Sequence, residues 1–298
     1  MAKMSRATKD TIQTIAVIVV VILLVLIYVV YPLNRSKALW ARPDIETYKP
    51  TPLLTNDPAA FLAEGILIDT FRVEADGLTN LACVRLRSAA TPAQKPKGLV
   101  LLIPREHESR ATLVDTAKQL VGAGFEVITY DQRGTGLSTG KYIGDGSLEA
   151  SDLGALIGYL EIHSELSHPL IAVGFGLGAD AALLAEGDEQ RIDRVIGIDP
   201  SITSERMFQA DIQKAGVIWF PFSQSTLWTW YKLRSGYTVT LRTIENIAAV
   251  HCHTILAVSP ACAGTAELRR LAEVSPRELL VVKPILGFDL IAEITKQP

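Results

Sequence analysis

The sequence predicts an α/β fold: a mostly parallel sheet covered by helices on both faces, carried behind one membrane-spanning helix. Three observations predict it. Short apolar runs recur from about Gly98 onward, and most are followed by a segment of helical spacing. Buried parallel strands read as continuous Val/Ile/Leu runs, so this alternation implies helices on both sides of the sheet. One run, Leu170–Val173, leads into Gly174-Phe-Gly-Leu-Gly178 and then an alanine-rich helix over Ala179–Ala185. Finally, no charged residue occurs between Asp10 and Arg35, and Ile15–Val30 is almost wholly aliphatic.

The N-terminal run sets the domain order. About 20 helical residues at 1.5 Å each match a hydrocarbon core of roughly 30 Å. We assign residues 1–11 to a short tail and 12–32 to a transmembrane helix embedded in the lipid bilayer, with Pro32 ending it. Residues 33–60 form a tether rich in proline (Pro43, Pro50, Pro52 and Pro58), and residues 61–298 form the globular domain. A cleaved signal peptide is the competing reading, but its apolar core is about 7–15 residues, and Ala38-Leu39-Trp40-Ala41 is a poor cleavage site. Lys3, Arg6 and Lys9 precede the run while Arg35, Lys37 and Arg42 follow it, so charge barely sets orientation. The short leading tail favours a body on the non-cytoplasmic side.

Within the domain, Ile66–Val73 and Leu81–Leu86 read as two strands joined at Ala75-Asp76-Gly77. Gly98–Pro104 is the third strand, Ala111–Val121 a helix, and Phe125–Tyr130 the fourth strand. Leu148–Glu161 is the next helix. Strands at Leu170–Phe175, Arg194–Ile198, Thr254–Val258 and Glu278–Val282 complete the sheet, with helices at Ala266–Ala272 and Phe288–Ile294. Residues 201–250 interrupt the alternation between the sixth and seventh strands. This insert carries Trp219, Trp228 and Trp230, three of the four tryptophans in the chain.

The pattern resembles the α/β-hydrolase superfamily, in its serine aminopeptidase/lysophospholipase-like branch. Three stretches carry the resemblance over about residues 98–290. Gly122 to Ser138 (GAGFEVITYDQRGTGLS) is similar to the family segment G-y-x-V-x-x-x-D-x-R-G-x-G-x-S. Gly174–Gly178 is similar to the nucleophile elbow, G-x-S-x-G. Ile244-Glu-Asn-Ile247, Arg277-Glu-Leu-Leu-Val-Val and Phe288-Asp-Leu290 resemble the surroundings of the last two strands. The resemblance implies an α/β-hydrolase fold with a lid insert between strands 6 and 7.

It also implies a serine, a histidine and a carboxylate at defined places, and these are missing. The nucleophile position is Gly176. The usual acid segment, Ser259–Ala266, holds no carboxylate, and the usual base position is Gly287. The third strand ends in Pro104-Arg105-Glu106-His107 instead of the His-Gly that shapes the oxyanion hole. Triad members act as a unit, so three vacancies predict a body without hydrolytic chemistry. Glycine takes the strained elbow backbone cheaply, so the substitution predicts a stable turn.

The remaining candidates are for binding. Arg105, Glu106, His107 and Arg110 form a charged loop at the carboxyl end of the third strand, where open parallel sheets bind ligands. Trp219, Trp228 and Trp230 suit a lid core, a ligand pocket, or an interface with lipid or a membrane-protein partner. Asp131 and Arg133 read as structural ties of their loop. His251-Cys252-His253 supplies two histidines on one face and no further ligand, so neither metal nor cofactor is assigned. Cys83, Cys252 and Cys262 read as packed thiols. A net charge of −3 with a pI of 6.0 gives no basic face for nucleic acid. Three functions remain: a membrane-tethered accessory protein or scaffold that binds, an esterase or peptidase with a displaced site using His107 or Asp131, and a carrier or sensor of small molecules.

Overall fold

The structure is a computed structural model of the 298-residue chain. It describes residues 6–40, 58–89, 95–140, 143–144, 146–203, 206, 208–209, 212, 223–235, 250–274 and 280–296. Trp219, most of the tether and the Ile244–Ile247 motif lie outside the described residues, as does Arg277. The chain divides into two compact units, residues 1–40 with 208–238, and residues 41–207 with 239–298.

The second unit contains an eight-stranded sheet: β1 (Ile66–Asp76), β2 (Thr79–Ser88), β3 (Leu99–Ile103), β4 (Glu126–Tyr130), β5 (Leu170–Phe175), β6 (Arg194–Ile198), β7 (His253–Val258) and β8 (Leu280–Pro284). Their spatial order is β1-β2-β4-β3-β5-β6-β7-β8. The β1–β2 and β2–β4 pairs are antiparallel, and every pair from β4–β3 to β7–β8 is parallel. All five residues of β3 are buried, because side chains alternate between two covered faces. Leu99, Leu101 and Ile103 join one core; Val100 and Leu102 join the other.

Five helices described here cover those faces: α3 (Pro58–Ala63), α4 (Val114–Gly122), α5 (Ser147–Ile162), α6 (Leu177–Glu189) and α10 (Leu290–Thr295). Leu153, Leu156, Ile157 and Leu160 of α5 pack with Leu183 and Leu184 of α6 in the first core. Ala117, Leu120 and Val121 of α4, Phe61 of α3 and Ile294 of α10 fill the second. Two further helices, α8 (Pro260–Ala263) and α9 (Ala266–Val274), connect β7 to β8. Neither α3 nor α8 is expected from sequence, since four to six residues are too short for helical periodicity to register.

Long-range ion pairs close the loop after β4. Asp131 is fully buried and accepts hydrogen bonds from the backbone N–H of Arg110 and of Leu137, each at 2.7 Å. It also pairs with the Arg110 guanidinium. Arg133 donates twice to Asp152 of α5, at 2.7 and 2.5 Å, and once to Asp76 at 3.2 Å. Buried charges persist in a fold only when paired and hydrogen-bonded in this way.

The first unit begins with one long helix. α1 (Arg6–Val25) passes through a five-residue π-helical turn, Leu26–Val30, into α2 (Tyr31–Trp40). Pro32 therefore does not end the helix. Proline lacks a backbone N–H and its ring crowds the preceding turn; the widened π turn immediately before it relieves both constraints. Residues 33–40, placed in the tether by composition, continue the helix. The segment Thr8–Ser36, 29 residues, is long and apolar enough to cross a membrane, and its most apolar stretch is not buried. A signal sequence satisfies the same description. In the insert, α7 (Ser223–Ser235) packs along α2 and the π turn.

Replacing Arg110 by methionine strands the Asp131 carboxylate in the core. We expect a loss of about 3–5 kcal/mol in urea unfolding, whereas Arg87→Met, which breaks the exposed pair with Asp69, costs less than about 1 kcal/mol.

Candidate functional site

The site is built where β5 turns into α6. Gly176 has φ 53° and ψ −120°, a left-handed backbone that side chains rarely adopt. Its N–H donates to the carbonyl of Ile198 at the end of β6, which ties the turn to the neighbouring strand. The flanking glycines are required by proximity. A Cβ on Gly174 would lie 2.2 Å from the carbonyl oxygen of Gly178, and one on Gly178 would lie 2.6 Å from that of Ile103. Strand, turn and helix thus cross at a separation only glycine permits.

The space above Gly176 is occupied. A Cβ there would stand 2.5 Å from Oε2 of Glu106 and 2.8 Å from Cγ of Arg105. The same Glu106 oxygen accepts a hydrogen bond from the backbone N–H of Leu177 at 3.2 Å. That N–H, on the residue after the elbow apex, is the one an α/β-hydrolase uses for the oxyanion. It is also the first donor of α6, where the helix dipole favours a negative group. An internal carboxylate therefore sits where a substrate oxygen would.

The other triad positions are equally plain. Ser259 precedes α8; its hydroxyl donates to Asp199 at 2.8 Å, and its N–H donates to the same oxygen at 3.2 Å. Cys262 in α8 is fully buried, and Nη1 of Arg206 donates to its sulfur at 2.9 Å. Desolvation nevertheless raises the Cys262 pKa, with Arg206 opposing. Burial likewise raises the thiols of Cys83 and Cys252, the latter to about 12. Gly287 has φ 78° in an exposed turn, and open space lies where its Cβ would be.

Of the charged-loop candidates, Arg105 and Glu106 come together at the elbow. His107 stands beside them with φ 62° and is half-buried. Arg110 is 1% exposed and faces inward to Asp131. His253 lies at the amino end of β7, on the order of 16 Å along the strand from the carboxyl edge. Among the described residues, no group of three or more His, Cys, Asp or Glu is placed to hold a metal ion. A cavity of about 140 Å³ opens beside Phe71, Arg72, Cys83 and Arg110; sites for small molecules usually need about 300 Å³ or more. Of the insert candidates, Trp228 and Trp230 are half-buried, and Trp228 lies 4.7 Å from Phe208, ring centre to ring centre.

Sequence alone placed Glu106 in a binding loop and missed its contact with the elbow. The available signal was an acidic residue two positions beyond the end of the third strand, where the family has His-Gly.

The family model described as serine aminopeptidase, S33, matches residues 94–272. The chain belongs to the serine aminopeptidase S33 family. Solved structures agree on the fold of this S33-family protein. The Pyrococcus furiosus esterase Pf2001 has a TM-score of 0.62 at 17% identity, covering 86% of this chain and 94% of that one. Est1E from Butyrivibrio proteoclasticus, solved with ferulic acid bound, has a TM-score of 0.52 at 14% identity, covering 76% and 94%. The α/β hydrolase GrgF from Penicillium sp. sh18 has a TM-score of 0.52 at 15% identity, covering 77% and 94%. No curated protein sequence matches the chain.

The raised thiol pKa values make a chemical prediction for this family member. Thiols held neutral and buried react slowly, so Ellman's reagent at pH 8 should modify none of the three cysteines within minutes in the native protein. All three should react at once after unfolding; rapid native reaction at Cys262 would identify a thiolate.

Proposed function

We propose that this S33-family protein is a membrane-anchored α/β-hydrolase-like protein that acts by binding, as an accessory subunit or scaffold of a membrane or envelope complex. The observation that carries the reading is the elbow. Gly176 offers no nucleophile, and the adjacent Leu177 N–H is taken by Glu106. Acyl transfer needs a nucleophile, a base within hydrogen-bond reach and free oxyanion donors. Supporting the reading, the elbow apex carries no hydroxyl, the family's base position is Gly287, and the first donor of α6 is taken. Asp199 and Ser259 form a carboxylate–hydroxyl pair without an imidazole. Asp131, considered as a displaced acid, is held inside by Arg110.

Retention of the fold with its site filled suits a body kept for its surface. The long apolar helix at the amino end supplies the anchor, with the body on the non-cytoplasmic side. The Pyrococcus furiosus esterase and Est1E, at 17% and 14% identity, support the scaffold and leave the chemistry to the residues present.

The full chain in detergent, incubated with a fluorophosphonate probe and p-nitrophenyl esters, should give no labelling and no turnover above a heat-treated control. Robust turnover would overturn the reading. Gly176→Ser should remain inactive, because the family's base position is Gly287 and the Leu177 N–H is held by Glu106. It should also cost about 1–3 kcal/mol, read as a lowered Tm, since a side chain at φ 53° is strained and must displace Glu106. Combined with Glu106→Ala, the loss should fall short of the sum of the two single changes, as groups in contact are non-additive.

A further inference from the structure

The insert invites comparison with a hydrolase lid, yet its packing partner among the residues of its own unit is the N-terminal helix. Residues 208–238 group with residues 1–40, and α7 lies along the π turn and α2. The contact falls at one particular level of the long helix. From Ile12 to Leu26 the described aliphatic side chains are each about half exposed, on every face. Burial begins only beyond: Ile27 and Tyr28 are half-buried, and Pro32 and Ser36, four residues apart on one face, are buried. Leu227 of α7 is 1% exposed, Phe208 5% and Ile212 7%, and Trp228 rests on Phe208. A small apolar core thus forms where the bare stretch of helix ends.

That level has a physical meaning if the helix spans a bilayer. Counting from Ile12, about 19 residues at 1.5 Å bring the chain to Val30 and use up roughly 28 Å of hydrocarbon. The π turn then lies at the end of the hydrocarbon, and α2 occupies the headgroup layer and the water beyond. Tyr31 stacks under the Arg35 guanidinium at 5.8 Å, an aromatic–cation pair suited to that layer.

The composition of α7, SQSTLWTWYKLRS, matches the same environment. It holds two tryptophans, a tyrosine, one lysine and one arginine, and no acid. Indole and phenol rings favour the interface, bases favour phosphate, and acids are repelled by it. Thirteen residues rise only about 20 Å, too short to cross. Leu233 is 68% exposed on this helix, available to lipid.

We propose that α7 is an interfacial helix: packed against the end of the membrane span, it sets Trp228 and Trp230 in the headgroup region of the bilayer. The proposal rests on the membrane-anchored reading above and adds a second lipid contact, made by the insert that a hydrolase relative would use as a lid.

The test uses the full chain reconstituted into phosphatidylcholine–phosphatidylglycerol vesicles, carrying Trp40→Phe and Trp219→Phe so that only Trp228 and Trp230 emit. Lipids brominated near the headgroup end of the acyl chain should quench that emission by about half or more, with weaker quenching by aqueous iodide. Flotation of the same vesicles after an alkaline wash reports the span. Flotation without quenching by bromolipid overturns the interfacial assignment and leaves the anchor standing. Loss of flotation overturns both. A further change of Leu233→Asp in α7 should reduce bromolipid quenching while flotation persists; unchanged quenching would argue against the lipid-facing orientation.

Discussion

The carboxyl edge of the sheet is organised by how closely α6 approaches β5. Gly174 and Gly178 let the two backbones cross at a distance where any side chain would strike a carbonyl. The turn between them must therefore be sharp, and its apex must sit at positive φ. A sharp apex at a helix start exposes an N–H at the positive end of a dipole. In an active hydrolase that donor is left open for a reacting oxygen. Here the apex has no side chain, and the β3 loop folds Glu106 into the vacancy. A carboxylate at that place satisfies an orphan donor and complements the helix end, so turn and loop stabilise one another.

The loops around this edge are held by charges taken out of water. Asp131 collects two backbone donors and a guanidinium, which links the start of the segment before α4 to the turn after β4. Arg133 bridges α5 and the β1–β2 hairpin through Asp152 and Asp76. Asp180 of α6 accepts the N–H groups of Ser201 and Ile202 at 2.8 and 2.9 Å, which fixes the chain leaving β6. These ties belong to the fold and hold the loops that surround the elbow. A preserved hydrolase architecture and an elbow apex without a side chain are therefore compatible in one molecule.

Much of the fold was legible. The apolar runs located the strands to within two or three residues, because a strand covered on both faces tolerates little else. The elbow's positive φ followed from its glycines. Other features were hidden for physical reasons. Pro32 reads as a helix stop, since local sequence cannot show that a π turn will absorb it. Residues 58–60 looked like the end of a tether because the core anchor of this short helix, Phe61, has no periodic companions. Glu106 was recognisable as a charged loop residue, while its contact with Leu177 joins positions 71 residues apart.

The sequence by itself determined the alternation of strand and helix, the single apolar span and the loss of serine, histidine and acid at the family positions. Those properties are local: they depend on side-chain type, spacing and run length. Only the tertiary structure decided what fills the vacated elbow and which helix the tryptophan insert packs against. Both are contacts between distant segments, set by the geometry of packing surfaces, and a one-dimensional pattern carries no record of which surfaces meet.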